Sequence, residues 1–206
     1  MDVTRAIADL DEVRTRMASV QRFRGLSGQA ALASGVAAVI AGLVQYALAP
    51  APRGADGISH YVAIWIVCLV FALLVNYGAV ALWLAKNWSS RSRTELQTAA
   101  IAIVPAIVAG GAFTAALVAR NQIGMLPGTW SLCYSLGLLA ARSMLPRAVF
   151  PVALGFAVIG AALLFAPGTN ALAWWAMPLT FGIGQTLIGL LLIRDENTGR
   201  DVVAAR

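Results

Sequence analysis

The chain has 206 residues, 60% hydrophobic and only 12% charged, with a formal net charge of +6. A soluble domain carries charge at roughly a quarter of its positions, so a water-soluble fold, a disordered chain and a coiled coil are excluded. The two cysteines, Cys68 and Cys133, both lie in apolar runs, which excludes a disulfide-stapled secreted module.

Residues 1–25 are the polar part. Val3, Ile7, Leu10, Val13, Met17 and Val20 recur every three or four residues, one apolar stripe on a helix. Asp11 with Arg14 and Glu12 with Arg16 stand one turn apart on its solvated face, worth about 0.2–0.5 kcal/mol each. Acids fill the first half and Arg14, Arg16, Arg22 and Arg24 the second, so the basic end of this amphipathic helix abuts anionic headgroups. Alternating charge over this length does not suit a signal peptide.

Six uncharged stretches follow, each long enough to cross about 30 Å of hydrocarbon at about 1.5 Å per residue. They cover 27–49, 61–85, 98–119, 128–144, 148–166 and 171–193. The fourth is the least sharply bounded: its apolar run reaches back to Ile123, but Pro127 and Gly128 read as a turn, and Pro favours the first turn of a helix. Pro178 removes a donor from the sixth stretch and is followed by Gly182 and Gly184, so that helix is expected to break or kink. Pro105 does the same more mildly in the third.

Thirteen of the fifteen Lys and Arg fall before the first stretch, after the second, between the fourth and fifth, or after the sixth; only Arg53 and Arg120 fall on the other side. Basic loops stay in the cytoplasm. Both termini are therefore expected there. The expected fold is all-α: a polytopic integral membrane protein with six transmembrane helices in three hairpins. Its parts are an amphipathic cytoplasmic or interfacial helix (1–25), a six-span domain (26–194) and a cytoplasmic tail (195–206). Gly78 to Lys86, Gly137 to Arg142 and Gly189 to Arg194 each run from a glycine through an apolar stretch to a basic stop, a weak sign of repetition among the hairpins. One Lys beside fourteen Arg, with abundant Ala, suggests a GC-rich bacterial genome and hence a bacterial inner membrane.

Every acid and base lies in a terminus, a loop or the end of a stretch. Proton pumps, intramembrane hydrolases and voltage sensors need ionisable groups within the bilayer, so no catalytic residue, metal site or cofactor is expected. His60, the one histidine, reads as an interfacial residue, and Cys68 and Cys133 as small apolar filler. Topology accounts for the basic residues, which argues against nucleic acid as a partner.

Two features remain as candidate sites. Ala33, Ala37 and Ala41 stack beside Ser34, Ala38 and Gly42 in the first stretch, and Gly110 with Thr114 and Gly111 with Ala115 form a second ridge in the third. Small residues let helices approach closely in lipid, either within this chain or against a protein partner or a second copy. Second, Asn76, Tyr77, Tyr134, Gln185 and Thr186, with Gln45, Thr114 and Ser135, are polar side chains in apolar stretches. They must face one another, water or a ligand, because an unsatisfied amide in hydrocarbon costs several kcal/mol. Polar groups beside an interrupted helix suit a transporter's binding site; plain interhelical hydrogen bonds are the alternative.

Leu126, Pro127, Gly128, Trp130, Leu132, Tyr134 and Gly137, then Pro151, Val152, Leu154 and Phe156, follow a pattern like LPGxWxLxYxxG, a basic turn and PVxLxF. Through these residues the segment 122–165 resembles a group of bacterial six-span membrane proteins of unassigned function. The resemblance implies the six-span architecture with a polar front helix and implies no activity. The expected function is a non-enzymatic anchor, accessory or regulatory subunit, set in the lipid bilayer and binding a protein through its front helix or small-residue faces. The competing expectation is a permease or substrate-binding subunit for a small uncharged molecule.

Overall fold

The computed structural model describes residues 25–50, 52, 54–165 and 170–204. The expected front helix lies outside the described residues except at Gly25, which stands in a turn. Among the described residues the chain is helical, without strands.

Helix α1 spans Gly28–Leu48. Ser27 caps it, its hydroxyl accepting from the Ala30 N–H at 3.3 Å and so satisfying one of the free donors of the first turn. Helix α2 spans Gly54–Lys86 and starts earlier than the apolar run itself; Gly54 opens it in the left-handed region, at φ +69°. Helix α3, Ser90–Ala119, also starts early, because the Ser89 hydroxyl accepts from the Ser92 N–H at 3.1 Å. It runs on through Pro105 as one helix. Asn121, at φ 55°, reverses the chain into a 3-10 turn, Ile123–Met125, and helix α4, Leu126–Ala140.

Here the expected boundaries shift. Pro127 and Gly128 belong to the first turn of α4, where a missing N–H breaks no intrahelical bond, and residues 141–144 turn instead of continuing the helix. Helix α5 spans Val149–Phe165. The break expected at Pro178 takes the form of a π-helical segment, Pro178–Gly182, leading into helix α6, Ile183–Ala204. Residues 195–204, in the expected cytoplasmic tail, continue the helix of α6.

Five of these helical stretches are long and apolar enough to cross a bilayer: Gly28–Leu48, Gly54–Lys86, Ser92–Ala119, Ile123–Ala140 and Arg147–Phe165. The sixth expected stretch is divided. Residues 170–175 form turns, and the π-helical segment separates them from α6.

Helix α1 lies between α2 and α6, and the order in space runs α2, α1, α6, α5, α4, α3. At the end away from the basic turns, Tyr61 and Trp65 of α2 pack with Ala38, Ala41, Leu126, Leu172 and Met177. Toward the basic end, Ala31, Val149, Phe156, Ile188 and Leu192 form a second core. Between α1 and α6 the backbones nearly touch. A Cβ on Gly28 would lie 2.7 Å from the Gly189 carbonyl, and a Cβ on Gly35 would lie 2.6 Å from the Thr186 hydroxyl; one on Gly42 would collide with the Pro178 ring. Residues spaced by seven return to one face after two turns, so this stripe lies along a single line of contact. Helices α4 and α5 do the same at Gly128 and Gly160. Helices α2 and α3, in contrast, leave apolar side chains such as Val67, Leu74 and Ile101 largely exposed. Long apolar helices with uncovered apolar faces mark a membrane-embedded protein.

Candidate functional site

The polar side chains within the helices form separate hydrogen-bonded nodes. Gln45, completely buried, is the centre of the first. Its Nε2 donates to the Leu172 carbonyl at 2.7 Å, and its Oε1 accepts from the Trp65 indole N–H at 2.9 Å. One amide thus ties α1 to α2 and to the turn ahead of the π-helical segment. Tyr61, one turn before Trp65, is also fully buried, but its hydroxyl has no hydrogen-bond partner.

Asn76 forms the second node. Its Nδ2 donates to the Ser34 hydroxyl at 2.8 Å and to the Ala72 carbonyl at 2.8 Å, while the Ser34 hydroxyl donates to the Ala30 carbonyl at 2.9 Å. Tyr77 beside it contributes nothing to this node and is 46% exposed.

The third node joins α6 to α4. Gln185 Nε2 donates to the Tyr134 hydroxyl oxygen at 2.7 Å. The Tyr134 ring meets Phe156 edge-on at 4.8 Å and tilts against Phe181 at 5.5 Å; Phe156 and Phe181 are 5.2 Å apart. Three mutually inclined rings are the favourable aromatic arrangement, and they fill the space around the hydrogen bond. Thr186 donates to the Gly182 carbonyl at 2.7 Å and stands against Gly35.

Of the five residues expected to make one polar site, the structure therefore brings together only Tyr134 and Gln185. Asn76 and Thr186 approach α1 through adjacent residues, Ser34 and Gly35, but from α2 and α6 respectively. Two further ties satisfy Thr114 and Ser135: Trp130 Nε1 donates to the Thr114 hydroxyl at 2.8 Å, joining α4 to α3, and Ser135 donates to the Ala153 carbonyl at 2.7 Å, joining α4 to α5. An indole N–H placed near a threonine one short loop away is the signal that reveals the first; nothing in the spacing reveals the second.

The small-residue ridges are placed as follows. Ala33 and Ala37 are half-buried and Ala41 is buried, whereas the closest backbone approach runs along Gly28, Gly35 and Gly42. A Cβ on Gly110 would make an ordinary 3.8 Å contact with Cys133, and Gly111 has no neighbour within 4 Å to meet one. Cys68 and Cys133 are free thiols on different helices. Among the described residues no three of His, Cys, Asp and Glu gather as metal ligands do.

Amides, indoles and hydroxyls in these nodes carry no charge near neutral pH. They hold helices at fixed depth and rotation. No family model, no curated protein and no solved structure matches the chain.

Proposed function

We propose that this chain is a non-enzymatic component of a bacterial inner membrane: an anchor, accessory or regulatory subunit that docks a protein partner. It crosses the bilayer six times, counting the divided stretch at Pro178, with both termini in the cytoplasm. The observation that carries the reading is the distribution of polar and apolar surface. Gln45, Asn76, Thr114, Ser135 and Gln185 are each engaged within the chain, while α2 and α3 keep long apolar faces uncovered, with Ile101 76% and Val67 68% exposed. A membrane partner packs against such faces by dispersion.

The test is a photo-crosslinking residue at position 101 in membranes of the native host. The reading expects one protein adduct of fixed mass that co-purifies in stoichiometric amount; adducts with lipid alone would overturn it. A second reading, a permease for a small uncharged molecule, draws on the π-helical segment beside Gln185, since π-turns frequently mark functional sites. A protein that purifies alone and melts higher with a neutral metabolite would favour that reading.

A further inference from the structure

The turn between α4 and α5 borders an open cleft of about 440 Å³ at the basic end of the bundle, within the roughly 300–1,000 Å³ typical of ligand pockets. Its walls are apolar: Leu138, Leu145, Phe150 and Ala153 line it. Its rim is not. Arg142, Ser143 and Arg147 border the same cavity, and all three are exposed. Among the described residues neither guanidinium is held by a hydrogen bond or an ion pair. Arg93, nearby in the chain's basic set, is by contrast stacked over the Trp88 ring at 4.3 Å. The first turn of α5, Val149 and Phe150, also faces the cavity, so the positive end of that helix dipole adds to the two cations.

Two guanidiniums with no partner among the described residues, set above a greasy cleft, match a molecule with an anionic oxygen cluster at one end and hydrocarbon at the other. Guanidinium forks bind phosphate oxygens in pairs, and basic pockets between helices on the cytoplasmic side suit anionic headgroups. A soluble phosphate ester would leave the apolar walls wet. We propose that this cavity binds an anionic phospholipid, its phosphate held by Arg142 and Arg147 with the Ser143 hydroxyl and an acyl chain lying along Leu138, Phe150 and Ala153. The proposal needs the helices to be in a bilayer but does not need a protein partner. A protein that purifies alone and still selects the lipid would remove the partner reading and leave this one standing.

The full-length protein in mild detergent is offered equimolar dioleoyl phosphatidylglycerol and dioleoyl phosphatidylcholine, and bound lipid is read by native mass spectrometry. Both lipids carry the phosphate, but the choline ammonium of phosphatidylcholine cancels its charge, so the wild type is expected to retain phosphatidylglycerol by roughly 30-fold, the effect of two cations on a net anionic headgroup. R142Q/R147Q should abolish the preference, R142K/R147K should keep much of it, and R120Q, which removes a charge at the opposite end, should leave it unchanged. Excess inorganic phosphate should not displace the lipid. Equal uptake of both lipids by the wild type would overturn the proposal whatever the variants do. So would a preference that survives R142Q/R147Q, a loss as large in R120Q, or displacement by phosphate alone.

Discussion

Gly28 and Gly189 meet backbone to backbone: a Cβ built on either would stand 2.7 Å from the other's carbonyl oxygen. A carbonyl cannot swing aside as a side-chain end can. Replacing Gly189 with Ala should force α1 and α6 apart and lower stability by about 1–3 kcal/mol, the usual cost of overpacking. Replacing Gly111 with Ala, where no neighbour lies within 4 Å, should raise it by about 0.5–1 kcal/mol by restraining the unfolded backbone. Melting of the two variants in one detergent checks both signs. Equal responses would show that the stripe is not a close contact.

Gln45 satisfies the Trp65 indole and the Leu172 carbonyl at once. Gln45→Leu leaves both buried and unpaired, and should destabilise by about 1–3 kcal/mol. Trp65→Phe in the Gln45→Leu background should cost less than Trp65→Phe alone, since the bond is already lost. Additive effects in this double-mutant cycle would contradict the hydrogen bond.

Tyr61 presents the opposite case. Its hydroxyl is buried without a partner, so removing the oxygen removes an uncompensated desolvation cost. Tyr61→Phe should hold or raise stability, by about 1 kcal/mol. A clear fall in melting temperature would reveal that the hydroxyl is bonded in the membrane.

Gln185→Leu breaks one bond, to Tyr134, inside a ring cluster that packs without it. The loss should be about 0.6 kcal/mol, typical of interhelical hydrogen bonds in bilayers. Growth of the host should be nearly normal. Loss of a solute uptake with unchanged melting would favour the permease reading instead.

The helical class and the positions of apolar runs are legible in the sequence because length and hydropathy report them directly; the start of α3 ahead of its run is set by the Ser89 cap. Tertiary pairing is another matter. Ala33, Ala37 and Ala41 look like a ridge at a spacing of four, but the closest contact follows Gly28, Gly35 and Gly42, a spacing that has meaning only beside α6, far along the chain. Asn76 likewise gives no sign that its partner is Ser34. A polar residue in an apolar run announces that it needs a partner; which helix supplies it depends on the order of helices in space.

That order has a consequence for biogenesis. Helix α1 leaves the ribosome well before its partners, since the turn that bonds Gln45 is 127 residues further on. At about 5–20 residues per second, the first hairpin waits on the order of ten seconds with its glycine stripe unmatched. Docking of α1 thus waits for α6, and a chain cut before α6 would strand α1 as a substrate for membrane quality control.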